Sequence, residues 1–514
     1  MTTVNGFVKI SPEEAAAMIP HGATVAFSGF ASAGAAKAVP RALAARACEL
    51  HRRGEPFRVG VLTGSSSGET IDELLADANA ISWRAPYQSS SRLRSRINGE
   101  EVEYVDMHVS GLPRTILSGF FGKLDVAVVE ATDVTPDGRV YLTSSIGASP
   151  TYLQTAEKVV IELNHYHSKR LPEMADIAVL ASPPTGALLQ IHDSMTKIGH
   201  PYALVDPRKI VGVVETNEPN HVTRCAPADA LSEKMAGHIL KFLMKEMRSG
   251  HIPPGFLPVQ AGVGQICDGI MRFLGNHPDM PYFRMYSLVL QDSFVELMKS
   301  GKLLGMSATS LTLTPEVLNE VYSNMDFFVP RIVLRPQDIS NSAEVIRRLG
   351  LIAMNAAIEV DIYGNVNNSH VYGTDVVNGI GGSGEFTRNS YISIIVCPSI
   401  AKGGKISTIV PMCPHIDNNE HSVQIVVTEQ GLADLRGLGP MQRARTIIEN
   451  CAHPAYRDYL YKYIERSRVG HIRHDLDTCY ELHQNLMTRG AMLPDLDLSA
   501  ISGRGAVSKS GRGE

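Results

Sequence analysis

Thr24-Val25-Ala26-Phe27-Ser28-Gly29 is an apolar run closed by a glycine, and Ala35 to Leu50 follows it with alanine-rich helical periodicity. A second such run, Arg58 to Leu62, ends in Thr63-Gly64-Ser65-Ser66-Ser67-Gly68. Strands that are apolar throughout suit a sheet buried on both faces. Strand, glycine turn and helix in alternation therefore predict an α/β fold with a covered sheet.

The same pattern extends outward. Upstream, Ser11-Pro12-Glu13-Glu14 predicts a helix start, with Ser11 as cap, Pro12 in the first helical position and Glu14 closing a capping box. Downstream, Asp125 to Glu130, Val159 to Glu162, Ile177 to Leu180 and Ile210 to Val214 read as strands. A boundary is expected between Asn217 and Pro258, where Ala228 to Met247 forms an amphipathic helix on Leu231, Met235, Ile239, Phe242 and Leu243. The second half predicts strands at Tyr286–Leu290, Phe327–Val329, Ile358–Ile362, Ile392–Val396, Ile406–Val410 and Val423–Val427, with helices at Glu344–Ala357 and Pro440–Cys451. The expected domains are 1–220 and 221–495, with a Gly-, Ser-, Lys- and Arg-rich tail over 496–514 that has no fixed structure.

At 514 residues the chain has room for two or three cores. A net charge of −5, with no long basic block before the tail, argues against nucleic acid as a partner. No apolar run reaches the ~20 residues of a membrane span, and Met1 to Ser11 lacks a secretory pattern. The seven cysteines are scattered, with no C-x-x-C. That fits a reducing, cytoplasmic setting and predicts neither a disulfide framework nor a metal site.

Four glycine-bearing turns could carry chemistry. Asn378-Gly379-Ile380-Gly381-Gly382-Ser383-Gly384-Glu385-Phe386 holds four glycines in nine residues and could aim backbone N–H groups at an anion or oxyanion. Its G-x-G-x-x-G match is not a dinucleotide fingerprint, because a strand-like run, Tyr391 to Val396, follows it. Gln260-Ala261-Gly262-Val263-Gly264-Gln265 precedes a helical run from Ile266 to Leu274, a context that favours an anion but also suits a plain turn. Lys402-Gly403-Gly404-Lys405 places cations on a third turn. Thr428-Glu429-Gln430-Gly431 puts a carboxylate at a strand end, a position suited to a cleft.

These motifs, with Tyr286-Ser287-x-Val289-x-Gln291, Asn341-Ser342 and Asp361-Ile362-Tyr363-Gly364, occur in an order that resembles the acetyl-CoA hydrolase/transferase family of class I coenzyme A transferases. The pattern is most similar to the bacterial propionyl-CoA:succinate and succinyl-CoA:acetate transferases. It runs from about Ile10 to Leu493 and includes Val25 to Phe30 and Ser82-Trp83-Arg84-Ala85-Pro86-Tyr87. The resemblance implies two open α/β domains of the coenzyme A transferase type facing each other across a cleft. It also implies a homodimer, and acyl-CoA and a short carboxylate as substrates without a prosthetic group. In such an enzyme a glutamate attacks the thioester, is converted to a glutamyl-CoA thioester, and passes coenzyme A to an incoming carboxylate.

Carried over, the resemblance assigns Gly262, Val263, Gly264, Gln265, Ile266, Ile358, Asn378, Gly382 and Lys402 to coenzyme A. It assigns the backbone N–H groups of Val263 and Gly382 to the oxyanion hole, Asn341 to the acyl or carboxylate group, and Glu429 to a second active-site carboxylate. One position departs from the pattern. Where the family has Tyr-Ser-Glu-Val, this chain reads Tyr286-Ser287-Leu288-Val289. Leucine has no lone pair with which to attack a carbonyl. Asp292 and Glu296 would share its face of a continuing strand but lie too far along it, at about 3.3 Å per residue, to replace it. Three readings stay open: an inactivated transferase that traps acyl-CoA, a binding protein that does not transfer, or a hydrolase with Glu429 as base.

Overall fold

The computed structural model describes residues 2–181, 184, 186–224 and 228–496. Of the tail expected over 496–514, all but the first residue lies outside the described residues, as does Cys225. The described residues form two compact units: those within 1–228, 243–355 and 376–393 make the first, and those within 229–242, 356–375 and 394–496 the second.

In the first unit the predicted alternation is realised. Thr24–Phe27, Val59–Leu62, Ile81–Ala85 and Glu103–Tyr104 lie side by side in parallel. On the other edge Thr24–Phe27 pairs in parallel with Val126–Val134, then come Lys158–Asn164 and Ile210–Thr216. The Ser11 capping box forms as read, and the helix spans Pro12–Ala17. The helix Ala38–Arg52 buries Ala38, Ala42, Ala44 and Ala47 with Val39 and Leu43 against this sheet's core. Small side chains there allow close approach of helix and sheet. A second parallel set in the same unit runs Ile332–Leu334, Leu303–Ala308, Phe283–Tyr286, Val259–Ala261 and on to the strand at Ile352.

The second unit pairs the end of Ile392–Val396 in parallel with Ile425–Thr428, which turns through an antiparallel hairpin into Gly431–Asp434. The helices Pro440–Asn450 and Pro454–Arg466 supply Ile447, Ile448, Leu460 and Tyr463 to its core.

Several expectations are corrected. The division near residue 220 does not match the contacts, because residues 243–355 are tied to the N-terminal sheet. Buried Arg335 pairs with buried Asp176, Gln337 Nε2 donates to the Val109 carbonyl at 2.5 Å, and Ser310 bridges to Ser145. The helix expected over Glu344–Ala357 stops at Leu349, where Gly350 takes φ 69° and ends it, and Ile352–Ala356 is a buried strand. Phe327 and Phe328 end a short helix, Met325–Phe328, and the strand begins only at Ile332. Ile177–Leu180 makes a single bridge, Ile177 to His200, and Val179 is exposed, so it has no ladder to join. The long helix forms at Ala230–Arg248, but Leu231 is exposed while Met235, Ile239, Phe242 and Leu243 are buried.

Candidate active site

The strand read as Tyr286–Leu290 is broken. Phe283–Tyr286 ends, and Val289–Leu290 pairs separately with Ser310–Leu311. Leu288 sits at the break, half-buried, with its carbonyl accepting from Thr309 N–H at 2.8 Å. Asp292 is not on a continuing strand. It opens the helix Asp292–Lys299, and its carboxylate accepts from the backbone N–H and hydroxyl of Thr314 at 3.0 and 2.9 Å. Glu296, on the same helix, pairs with Arg272. Both carboxylates thus have partners of their own, Thr314 and Arg272.

Leu288 meets the glycine loop directly. A Cβ placed on Gly382 would lie 2.5 Å from Leu288 Cδ1, 2.6 Å from Asn341 Nδ2 and 3.5 Å from Glu385 Oε2. The structure thus brings Leu288, Gly382 and Asn341 together and adds a residue that the sequence reading quoted but did not assign, Glu385. A lone acid between a glycine turn and Phe386 was the available signal. Gly382 caps a short helix, Ser383–Asn389, where the glycine content predicts only a turn. That helix turns Glu385 inward.

Glu385 is 7% exposed. Its Oε1 accepts from Ser110 N–H at 3.0 Å and its Oε2 from Asn341 Nδ2. Burial pushes its pKa up to about 7, against the lowering effect of those hydrogen bonds. Asn341 is 1% exposed, and its Oδ1 has no hydrogen-bond partner among the described residues. Donation to a carboxylate fixes which end of the amide carries nitrogen.

The rest of the loop is clamped by the segment that follows the strand Ile81–Ala85. Asp106 accepts from Ile380 N–H at 3.0 and 3.1 Å, and the Asn378 carbonyl accepts from Tyr104 OH at 3.0 Å and Gln88 Nε2 at 3.3 Å. The Gly381 carbonyl accepts from Val109 N–H at 3.1 Å. A side chain on Gly379 would come within 2.5 Å of Asp106 Oδ1 and Tyr104 OH, so only glycine fits this approach.

The second predicted loop follows the strand Val259–Ala261. Ser287 Oγ donates to the Ala261 carbonyl at 3.2 Å, which ties this strand end to the residue beside Leu288. Gly262 is half-buried beside Asn355 and Cys267, while Val263 and Gln265 are exposed and Ile266 is half-buried. Gly264, at φ 123°, leads into the helix Gln265–Asn276.

The remaining predicted residues belong to the second unit. The half-buried Ile358 donates its N–H to the Asn367 carbonyl at 2.9 Å. Lys402 is exposed at φ 47°. Glu429, at the hairpin turn, accepts from Ser399 N–H at 2.8 Å, from the Ser399 hydroxyl and from Gln430 Nε2 at 2.9 Å. Among the described residues no cluster of three or more His, Cys, Asp or Glu could hold a metal ion. Nor, among them, is any helix long and apolar enough to cross a membrane.

In the first unit a buried amide, Asn341, and a buried carboxylate, Glu385, thus meet Leu288 and Gly382 at one strand break. Residues 4–215 match the model of the acetyl-CoA hydrolase/transferase N-terminal domain, and residues 318–464 that of its C-terminal domain. The chain belongs to the acetyl-CoA hydrolase/transferase family. It is 53% identical to propanoyl-CoA:succinate CoA transferase of Escherichia coli, over 95% of this chain and 99% of that protein. It is 40% identical to succinyl-CoA:acetate CoA-transferase of Clostridium kluyveri, over 94% and 90% respectively, and 37% identical to acetyl-CoA hydrolase of Schizosaccharomyces pombe, over 95% and 97%. In fold it is similar to RipA from Yersinia pestis (TM-score 0.67, 22% identity, 88% of this chain and 96% of that one). It is also similar to 4-hydroxybutyrate CoA-transferase from Porphyromonas gingivalis (TM-score 0.59, 22% identity, 89% and 97%).

Proposed function

We propose that this chain is a coenzyme A transferase scaffold that binds acyl-CoA, of the propionyl, acetyl or succinyl type, and is impaired in handing coenzyme A to a short carboxylate. The observation that carries this is the place of Leu288. Its methyl lies against Gly382 and Asn341, where the family's reaction needs a nucleophilic oxygen. On this reading the Gly382 N–H would meet a developing oxyanion and the buried Asn341 amide the acyl group. With hydrocarbon at position 288, neither an anhydride nor a glutamyl thioester forms there, and the route that conserves thioester energy is closed.

The test is to mix the protein with propionyl-CoA and succinate and follow succinyl-CoA. The expected outcome is binding of propionyl-CoA by calorimetry with transfer far below ordinary enzyme rates. Leu288→Glu is then expected to raise transfer by several orders of magnitude. Transfer at ordinary rates by the unmodified chain, or no gain from Leu288→Glu, overturns the assignment of position 288.

A further inference from the structure

Asn341 Oδ1 is buried and has no hydrogen-bond partner among the described residues, and the carboxylate of Glu385 stands beside it, held through Asn341's own nitrogen. Buried polar atoms without partners are few in folded proteins and each calls for an explanation. A water molecule that donates one hydrogen to Asn341 Oδ1 and the other to Glu385 would satisfy both groups. It would also point its own lone pair away from them.

We propose that Glu385 is a catalytic base and Asn341 its water-positioning partner, and that with Leu288 in the nucleophile's place the chain hydrolyses acyl-CoA through this pair. The inference rests on the reading that the chain binds acyl-CoA. The step balances without a co-reactant. Water's oxygen bonds to the thioester carbonyl carbon as one of its protons moves to Glu385. The negative charge gathers on the carbonyl oxygen against the Gly382 N–H. The C–S bond then breaks, and the proton passes from Glu385 to the departing sulfur, giving a carboxylic acid and coenzyme A thiol.

Three observations favour Glu385 over other carboxylates. Its Oε2 lies 3.5 Å from the point where a Gly382 Cβ would sit, so it is next to the oxyanion donor. The backbone N–H and side chain of Ser110 and the Asn341 amide donate to it, which leaves one of a carboxylate's about four acceptor sites for water. Last, burial holds Glu385 at about 7, where a general base combines adequate ionisation with basicity. The charged and titratable groups on the elements packed around it are Asp106 and His108 on the Ser110 segment, Asp338 on the Asn341 turn and Arg388 on its own helix.

The experiment uses the full chain with propionyl-CoA alone. It measures free-thiol release between pH 5.5 and 8.5, with propionyl-CoA binding determined in parallel, for the unmodified protein, Glu385→Gln and Glu429→Gln. The expected result is hydrolysis that rises with pH and levels off above about 7. Glu385→Gln should lose about hundredfold or more of it and its pH dependence, while binding changes only a few-fold. Binding with hydrolysis that is flat in pH, or as fast in Glu385→Gln, overturns the role of Glu385 and leaves the acyl-CoA reading standing. Loss in Glu429→Gln with Glu385→Gln unaffected assigns the base to Glu429 and overturns it too. Absence of propionyl-CoA binding at millimolar ligand overturns both. If Glu385→Gln does not fold, Glu385→Asp decides in its place: a large fall in hydrolysis with propionyl-CoA binding kept is expected, and unchanged hydrolysis overturns the role.

Discussion

On the proposed reading, the side chain at position 288 decides which reaction is open beside Asn341, Gly382 and Glu385, which lie around it. Glu385 also has a consequence for stability. Its folded-state pKa, raised by burial to about 7 from an ordinary 4.5, means the folded chain keeps this proton where the unfolded chain has lost it. The stabilisation from this site is therefore full below the ordinary carboxylate range and is lost as pH rises through about 7. Glu385→Gln removes the titration. Relative to the unmodified chain it should gain stability between pH 5 and pH 8, by up to about 3 kcal/mol given 1.36 kcal/mol per pKa unit. Urea unfolding at the two pH values checks this, and an unchanged difference between the proteins would refute it. Glu130 has the opposite sign. Burial raises its pKa, but Lys37 and His167 overcome that and hold it at about 2, so its contribution is present at neutral pH and is lost in acid.

The loop from Asn378 to Gly382 works as a clamped element, held from outside by Asp106, Tyr104, Gln88 and Val109. Gly379→Ala forces a methyl to within 2.5 Å of Asp106 and Tyr104, an overpacking that costs about 1–3 kcal/mol and pushes the loop out of its seat. The expected outcome is coenzyme A binding weakened about tenfold or more by calorimetry, with an unchanged far-UV circular dichroism spectrum. The glycines of this loop were legible because their number in so few residues has little use outside a close backbone approach. Its closing helix was not. Seven residues, Ser383–Asn389, with Gly384 among them, have weak local propensity and are held by packing of Phe386 into a core with Tyr286 and Ile339. The same limit explains Glu344–Ala357. A helix and a buried strand in succession show one apolar run, and only Gly350 marks where the period changes.

For the whole molecule, element types in the N-terminal sheet could be read from the sequence because its strands are apolar throughout and separated by glycine turns. The extent of each compact unit could not, because it depends on pairings between residues far apart in the chain. Asp176 and Arg335 are one such pair, both 0% exposed. Asp176 also accepts from Ile198 N–H at 2.7 Å, and Arg335 donates to Ser307 Oγ at 2.7 Å and to the Thr196 carbonyl at 2.5 Å. A pair so fully hydrogen-bonded ties the N-terminal sheet to the strand set that presents Leu288 and the turn that carries Asn341. Two effects compete when it is altered. Removing one partner strands a buried charge, at about 3–5 kcal/mol, whereas replacing both with apolar groups of similar volume removes the desolvation cost along with the attraction. Asp176→Ala should therefore lower the urea midpoint of the first unit more than Asp176→Leu combined with Arg335→Met does, although the double variant loses more hydrogen bonds. Equal losses in the two proteins would mean that the ion pair is not what holds residues 303–341 against the N-terminal sheet, and that the apolar contacts alone suffice.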